Sequence, residues 1–273
     1  MEVATALSSV FAANRAAGRI ALTVGAHDGV TRRDKVYEVG PLRIRFPNTS
    51  EKALEAVLVN TAGGIAGGDR HALDIGVGKG AALTVTTAAA EKIYRALGPG
   101  AELSVKLDVG AGGRLAWLPQ ETILFDQAKL DRRIEVNLAA DAGVLIAEAV
   151  VFGRTAMGES VRQGAFVDRW RVRREGKLVF AETVRLDGKI ERMLAEPAVA
   201  NAGIGIATVL AVPGDEAQIE RARQQTFCGE VGVSAWNGLA VARLCAKDGE
   251  SLRRDLAVVA AAFGGLLPRL WLN

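Results

Sequence analysis

Apolar and polar residues alternate with period two through much of the chain. The pattern is plain in Leu73-Asp74-Ile75-Gly76-Val77 and Leu103-Ser104-Val105-Lys106-Leu107-Asp108-Val109. It returns in Ile134-Glu135-Val136-Asn137-Leu138 and Trp170-Arg171-Val172. Successive side chains of a strand point to opposite faces, so each run predicts a strand buried on one side. Turn-forming residues punctuate the runs at Gly78-Lys79-Gly80, Gly110-Ala111-Gly112-Gly113, Asp141-Ala142-Gly143, Glu175-Gly176 and Asp187-Gly188. Three units share one plan: an alternating strand, a Gly- or Ala-rich turn, then a second apolar strand. The second strands begin near Leu83, Leu115 and Leu145, spaced by 32 residues (115 − 83) and 30 residues (145 − 115). A repeat of this length predicts stacked β units whose neighbours bury one another's apolar faces. The expected fold is mainly β: a β-helix-like stack of strands in layered sheets.

The pattern changes after Pro213. Residues 215–223 read as a polar helix with Gly214 or Asp215 as N-cap and acids in its first turn. Val231 to Trp236 and Gly238 to Leu244 read as a strand pair turning at Asn237-Gly238, a favoured hairpin dipeptide. A second helix is expected from Ser251 to Phe263, ending at Gly264-Gly265. Its apolar side (Leu252, Leu256, Val259, Phe263) recurs at helical spacing and predicts packing on the sheets. No Pro-, Gly- or Ser-rich linker divides the chain. The expectation is one domain, residues 1–273, with a β-rich stack over 1–212 and a mixed part with two short helices over 213–273.

Composition narrows the function classes. The 273 residues carry 34 Lys and Arg against 31 Asp and Glu, a net charge of +3. That excess is too small to mark a nucleic-acid binder, which concentrates base on one face. The densest basic run, Arg169 to Arg174, alternates with apolar residues and reads as the solvated face of a strand. Cys228 and Cys245 are too far apart for a redox pair and form no disulfide framework. Met1 to Val10 lacks a basic start followed by a long apolar run, and the apolar stretches are too short to span a bilayer. A soluble, cytoplasmic protein with no membrane association is expected.

The most conspicuous motif is Asn60-Thr61-Ala62-Gly63-Gly64-Ile65-Ala66-Gly67-Gly68-Asp69-Arg70. It lacks the Gly-Lys-Ser/Thr ending of a phosphate loop, and a strand follows it instead of a helix. It reads as a tight bend between strands, with Asp69 at its exit. Nucleophilic catalysis has little to draw on, with two histidines (His27 and His71) and no G-x-S-x-G elbow. The same two histidines and two cysteines, isolated in sequence, argue against a permanent transition-metal site. Four acids, Glu91, Glu121, Glu148 and Glu182, sit in or beside apolar strands. Each taken alone is expected to point outward, since a buried carboxylate is costly unless paired. Glu148 fits that expectation least, because its strand is apolar on both sides.

Several blocks, in order, resemble the UreD (UreH) family of urease accessory proteins over nearly the whole chain. They are NTAGGIAGGDR (60–70), TTAAAEKIYR (86–95), WLPQETILF (117–125), EAVVFGRTAMGE (148–159), VSAWNGLAVAR (233–243) and the closing Leu267-Pro268-Arg269-Leu270-Trp271. The motif positions carried over are Gly63, Gly64, Gly67, Gly68 and Arg70; Lys92, Tyr94 and Arg95; Pro119 and Glu121; Gly153, Arg154, Gly158 and Glu159. The resemblance implies a stack of strands with a small helical part and a non-catalytic role. It further implies partnership with UreF, with the GTPase UreG and with apo-urease, as a dimer of heteromeric accessory complexes. Nickel is then transient cargo and no cofactor is permanently bound. The family positions proposed to line a nickel passage fall on Asp69, Glu91, Glu148 and Glu182, although Glu91 stands where many relatives carry a small hydroxyl residue. Isolated carboxylates hold a divalent ion less firmly than a His or Cys cage, which suits a conduit better than a store. The resemblance places the UreF contact in the C-terminal part. There the tail Leu270-Trp271-Leu272 reads equally as a docking element or as core. Two other readings stand beside this one: a small-molecule enzyme using the bend and nearby carboxylates, and a structural urease-associated subunit without a part in ion transfer.

Overall fold

A computed structural model describes residues 15–48 and 53–271. The N-terminal stretch Met1 to Val10 and the last tail residues, Leu272 included, lie outside the described residues.

The alternating runs form two facing sheets. The first has seven strands in the order β14 (Lys177–Gly188), β13 (Gly164–Arg174), β11 (Lys129–Leu138), β8 (Ala101–Val109), β5 (Arg70–Val77), β1 (Ala17–His27) and β2 (Val30–Val39). The second runs β16 (Glu230–Trp236), β17 (Leu239–Ala246), β15 (Gly205–Val212), β12 (Gly143–Phe152), β9 (Arg114–Trp117), β6 (Ala82–Thr87), β4 (Leu54–Asn60) and β3 (Leu42–Arg45). Two short strands, β7 (Glu91–Ile93) and β10 (Thr122–Leu124), pair with each other, and β10 also pairs with β12.

The chain passes from one sheet to the other and back, so successive coils stack in parallel. Leu73 pairs with Val105 and Val105 with Ile134; Leu83 pairs with Leu115 and Leu115 with Val144. Both sheets therefore show the same spacings, 32 residues and then 29. The second spacing corrects the expected 30. Leu145 is not the equivalent of Leu115 but points to the opposite face, where it packs in the cluster beneath the helices. One residue of slip reverses every side chain of a strand, so register decides which face is core. The Gly-rich turns stack too: Gly80 donates to the Ala111 carbonyl at 2.9 Å, and Gly112 donates to the Asp141 carboxylate at 2.8 Å.

The C-terminal elements follow expectation closely. Helix α2 (Glu216–Arg223) starts at Asp215, whose carboxylate accepts from Gln218 N while the Gln218 side chain reciprocates, a full capping box. Asn237 and Gly238 turn the β16–β17 hairpin with φ of 50° and 75°. Helix α3 (Gly249–Ala262) begins two residues before the expected start, capped by Asp248. A third helix, α1 (Ile190–Ala195), was not anticipated; six residues are too short to display a period, and Ile190 and Leu194 are its only buried side chains. Helices α2 and α3 cover the outer face of the second sheet, where Ala147, Ala149, Ala207 and Ala242 let them approach closely. Trp271 is buried there and its indole N–H donates to the Leu118 carbonyl at 3.1 Å, so the tail residue is core. The basic run lies on β13 as expected, with Trp170 and Val172 inward and the arginines half-buried between them.

Asp255, buried in the middle of α3, accepts from the backbone amides of Cys228 (2.8 Å) and Gly229 (2.7 Å) and ties the loop before β16 to the helix. Asp255→Ala is expected to lower stability by about 2–4 kcal/mol, since it orphans two amides in a partly buried place. Urea denaturation monitored by circular dichroism checks this.

Candidate functional site

The inward residues of four strands, three of them interior to their sheets and one at an edge, repeat an unusual triplet. On β11 they read Leu130, Arg132, Ile134; on β13, Phe166, Asp168, Trp170; on β12, Ile146, Glu148, Val150; on β14, Phe180, Glu182, Val184. In each the middle residue is charged and its flankers are apolar. The register aligns Arg132 and Asp168: Arg132 lies opposite Asp168 on one side and Leu103 on the other, Leu103 lies opposite His71, and His71 opposite Gly18, while Glu182 stands two residues off this row, opposite Trp170. In the facing sheet Glu148 lies opposite Thr208, and Thr208 opposite Arg243. A polar layer therefore crosses the sandwich at right angles to the strands. It divides the interior into one apolar cluster around Ile20, Ile134 and Trp170 and another around Leu130, Phe152 and Phe166.

Arg132 is the centre of this layer. It is 2% exposed, and its guanidinium grips Asp168 with two bonds, from Nε (3.0 Å) and Nη2 (2.6 Å). Nη1 donates to Glu148 Oε2. The second oxygen of Glu148 accepts from the Trp117 indole at 2.7 Å, and Asp168 also accepts from the Trp170 indole at 3.0 Å. Burial works against the guanidinium charge, but Asp168 and Glu148 outweigh it and hold the Arg132 pKa above its usual value. Burial pushes the Glu148 carboxyl up, against the opposing pull of Arg132. One guanidinium faces two carboxyl groups, so the charge of the cluster depends on whether Glu148 holds its proton.

A cavity lies on each side of the cluster. The first, about 190 Å³, is lined by His71, Glu91, Asn60, Trp117, Pro119 and, at its inner wall, Arg132 and Glu148. Exposed Ala88 and Ala89 stand at its outer side. The second, about 170 Å³, shares Arg132 and Glu148 as its wall; Asp168, Glu182, Thr208 and exposed Arg243 are the other polar groups of a lining that is mostly apolar, with Phe166, Val184 and Ile206 among it. Glu182 pairs with Arg243 and accepts from the Thr208 hydroxyl at 3.3 Å. Glu91 accepts from Asn60 Nδ2 at 3.1 and 3.2 Å; burial, partly offset by that bond and by Lys92, pushes its pKa up to about 7. Three of the four carboxylates singled out in the sequence thus share one layer, and Glu148 points inward.

Asp69 is placed differently. Its oxygens accept from Ala66 N and Ala16 N, both at 2.8 Å, and it lines neither cavity. It closes the Gly-rich bend. Gly64 is required there: an added Cβ would meet Tyr94 at 2.5 Å and the Lys92 carbonyl at 2.8 Å. At Gly67 it would fall 2.5 Å from the Ala96 Cβ, and Gly63 and Gly68 have φ of 74° and 87°. The other motif positions gather nearby, because successive blocks occupy equivalent places in successive coils. The Tyr94 hydroxyl donates to the Gly63 carbonyl (2.9 Å), and its ring meets Phe125 edge-on at 5.2 Å. Arg154 stacks on Phe125 (4.1 Å) while gripping Glu159 with two bonds. Gly153 and Gly158 take φ of 96° and 67° around that pair. The Lys92 carbonyl accepts from Ile65 N, Arg95 bridges to Ala128, and Glu121 pairs with Arg253 at 3.3 Å; exposed Arg70 comes within 3.7 Å of Glu102.

Arg132 and Asp168 escaped the sequence reading. The signal was present: a charged residue at an inward position with apolar residues two before and two after it. Chemically the layer offers carboxylate oxygens and one imidazole as lone-pair donors, beside a guanidinium that stays charged and donates only hydrogen bonds. Among the described residues, His, Cys, Asp and Glu do not gather in threes as a metal cage. No described helix is long and apolar enough to cross a membrane.

Fold and interior together define a mainly β, solenoid-like protein with a carboxylate-lined polar layer inside its core. The chain belongs to the UreD family of urease accessory proteins: the sequence model described as "UreD urease accessory protein" matches residues 16–271. It is similar to the urease accessory protein UreD of Rhodopseudomonas palustris strain HaA2, 59% identical over 275 residues, covering 100% of this chain and 99% of that one. The UreD of Bradyrhizobium diazoefficiens is 59% identical over 268 residues, covering 97% of each. The protein described as UreD 3 of Bradyrhizobium sp. strain BTAi1 is 56% identical over 273 residues, covering 99% and 98%.

Proposed function

We propose that the protein is a non-catalytic scaffold for urease maturation, working in the cytoplasm with UreF and the GTPase UreG on the apoenzyme in a dimer of such complexes. In this reading the polar layer is a route along which nickel passes as cargo. The observation that carries it is the pair of cavities meeting at one shared wall of buried charge, with Glu91, Glu148 and Glu182 spaced along them. A route must attract an ion without retaining it, and separated carboxylates do this better than a closed cage. Asp69 contributes by holding the bend that forms one end of the first cavity.

The test is urease activity and bound nickel in cells carrying the matching urease gene set, with and without this gene. Both are expected to collapse on its removal while urease subunits still accumulate; unchanged nickel sinks the assignment. Within the route, Glu148→Ala is expected to cut nickel per urease several-fold, because it removes the carboxylate that both cavities share. Full loading by a folded Glu148→Ala protein overturns the route and leaves the scaffold role standing.

A further inference from the structure

His71 occupies an inward position of β5, in line with Leu73, Ile75 and Val77, and is 3% exposed. Its neighbour on β1 is Gly18, where a Cβ would come within 3.1 Å of the imidazole. The ring nitrogen Nε2 is buried without a hydrogen-bond partner, and the residue lines the first cavity together with Glu91 and Glu148. An unpartnered buried polar atom costs about 1–3 kcal/mol. The cavity is walled mainly by apolar side chains, so a guest that reached this ring would meet one of its few polar groups and supply the missing bond. Burial lowers the pKa of His71, against the opposing influence of Asp69; in its neutral form one ring nitrogen carries a lone pair.

The chemistry of the two donor types decides what this lone pair is for. Carboxylates and water alone suit magnesium, calcium and manganese as well as later metals. Imidazole nitrogen favours nickel, copper and zinc. A route made only of carboxylates would thus admit the abundant hard dications. Among the residues lining the first cavity, which also include Asn60, Lys92, Gln120 and Arg132, His71 is the one whose nitrogen can offer a lone pair.

We propose that His71 and Glu91 form a transient nitrogen-and-oxygen site for a late first-row dication in the first cavity. His71 is the residue by which the protein prefers such an ion over magnesium or calcium. This rests on the reading of the polar layer as a cation route. With two protein ligands the ion keeps water in its remaining positions, so the site selects and releases.

The experiment titrates nickel alone into the purified full-length protein, by calorimetry and by X-ray absorption at the nickel edge, with excess magnesium as competitor. His27, exposed and paired with Asp34 at 2.8 Å, is the chain's only other histidine and serves as the control. Wild type and His27→Gln are expected to bind one nickel with an imidazole scattering shell. His71→Gln is expected to lose that shell and to weaken binding by at least about tenfold, the low end of what even an outer-shell partner contributes to metal affinity. Glu91→Gln should weaken binding while the imidazole shell stays. Matching circular dichroism and melting curves establish that each variant is folded. If His71→Gln binds nickel with undiminished affinity, or if the wild-type site shows no imidazole, the proposal is overturned. The gene-removal test is independent of this outcome: nickel-free urease without the gene, together with unaltered binding in His71→Gln, sinks this site and spares the maturation role.

Discussion

Replacing Arg132 with Met is expected to lower stability by about 3–5 kcal/mol, because it leaves Glu148 and Asp168 buried without their cation. The arginine is 2% exposed and gripped by both carboxylates, so no other cation replaces it when it is removed. The informative companion is the triple variant Arg132→Met, Glu148→Leu, Asp168→Leu. Exchanging a whole buried ionic cluster for apolar side chains of similar size is often neutral or stabilising by about 1–4 kcal/mol. The triple variant should therefore recover most of the lost stability in guanidinium denaturation. It should not recover nickel loading of urease, since an apolar partition now separates the cavities. A stable triple variant that loads nickel fully would show the cluster to be structural alone.

The second large effect concerns pH. The Glu91 carboxyl sits at about 7 in the folded protein against an ordinary 4.5. Below 4.5 the group is protonated whether the chain is folded or not, and it does not disfavour folding. As pH rises from 4.5 toward 7 the unfolded chain gives up this proton first, so stability falls, and the loss is complete once pH passes about 7. A shift of this size corresponds to about 3 kcal/mol. Glu91→Gln keeps the shape and cannot ionise. It is expected to match the wild type at pH 4.5 and to exceed it by up to about 3 kcal/mol at pH 8, read from denaturation midpoints. Equal midpoints at pH 8 would mean that water reaches Glu91 more freely than its half-buried position implies. The raised pKa also fits the proposed route: a carboxyl poised near neutrality exchanges a proton for a passing cation without holding either tightly.

Much of the architecture was legible along the chain, for local reasons. Period-two alternation between Leu73 and Val172 marks strands buried on one face, and that rule depends only on backbone geometry. The capping box at Asp215 and Gln218 and the Asn237-Gly238 turn are likewise settled by neighbouring residues. The coil repeat was visible as well, because each coil must bring an apolar strand back to the same place. It was misplaced by one residue at Leu145. That strand is buried on both faces, so its sequence carries no alternation from which to read the register. The short helix α1 was silent because six residues do not complete a recognisable period.

The polar layer shows the boundary most clearly. Sequence named Glu91, Glu148 and Glu182 as acids among apolar neighbours, which is a local property. It also named Glu121, which pairs with Arg253, and could not say which way each pointed; the family resemblance added Asp69, whose carboxylate is satisfied by the amides of Ala66 and Ala16. Partnership was decided by register between strands 36 residues apart, as for Arg132 and Asp168, and by the facing of two sheets, as for Arg132 and Glu148. The chain by itself determined the strands, the turns, the coil period and the donors available. Only the tertiary structure decided which donors meet, because a charge enters a core where long-range pairing brings it a partner, and that pairing is written in no single segment.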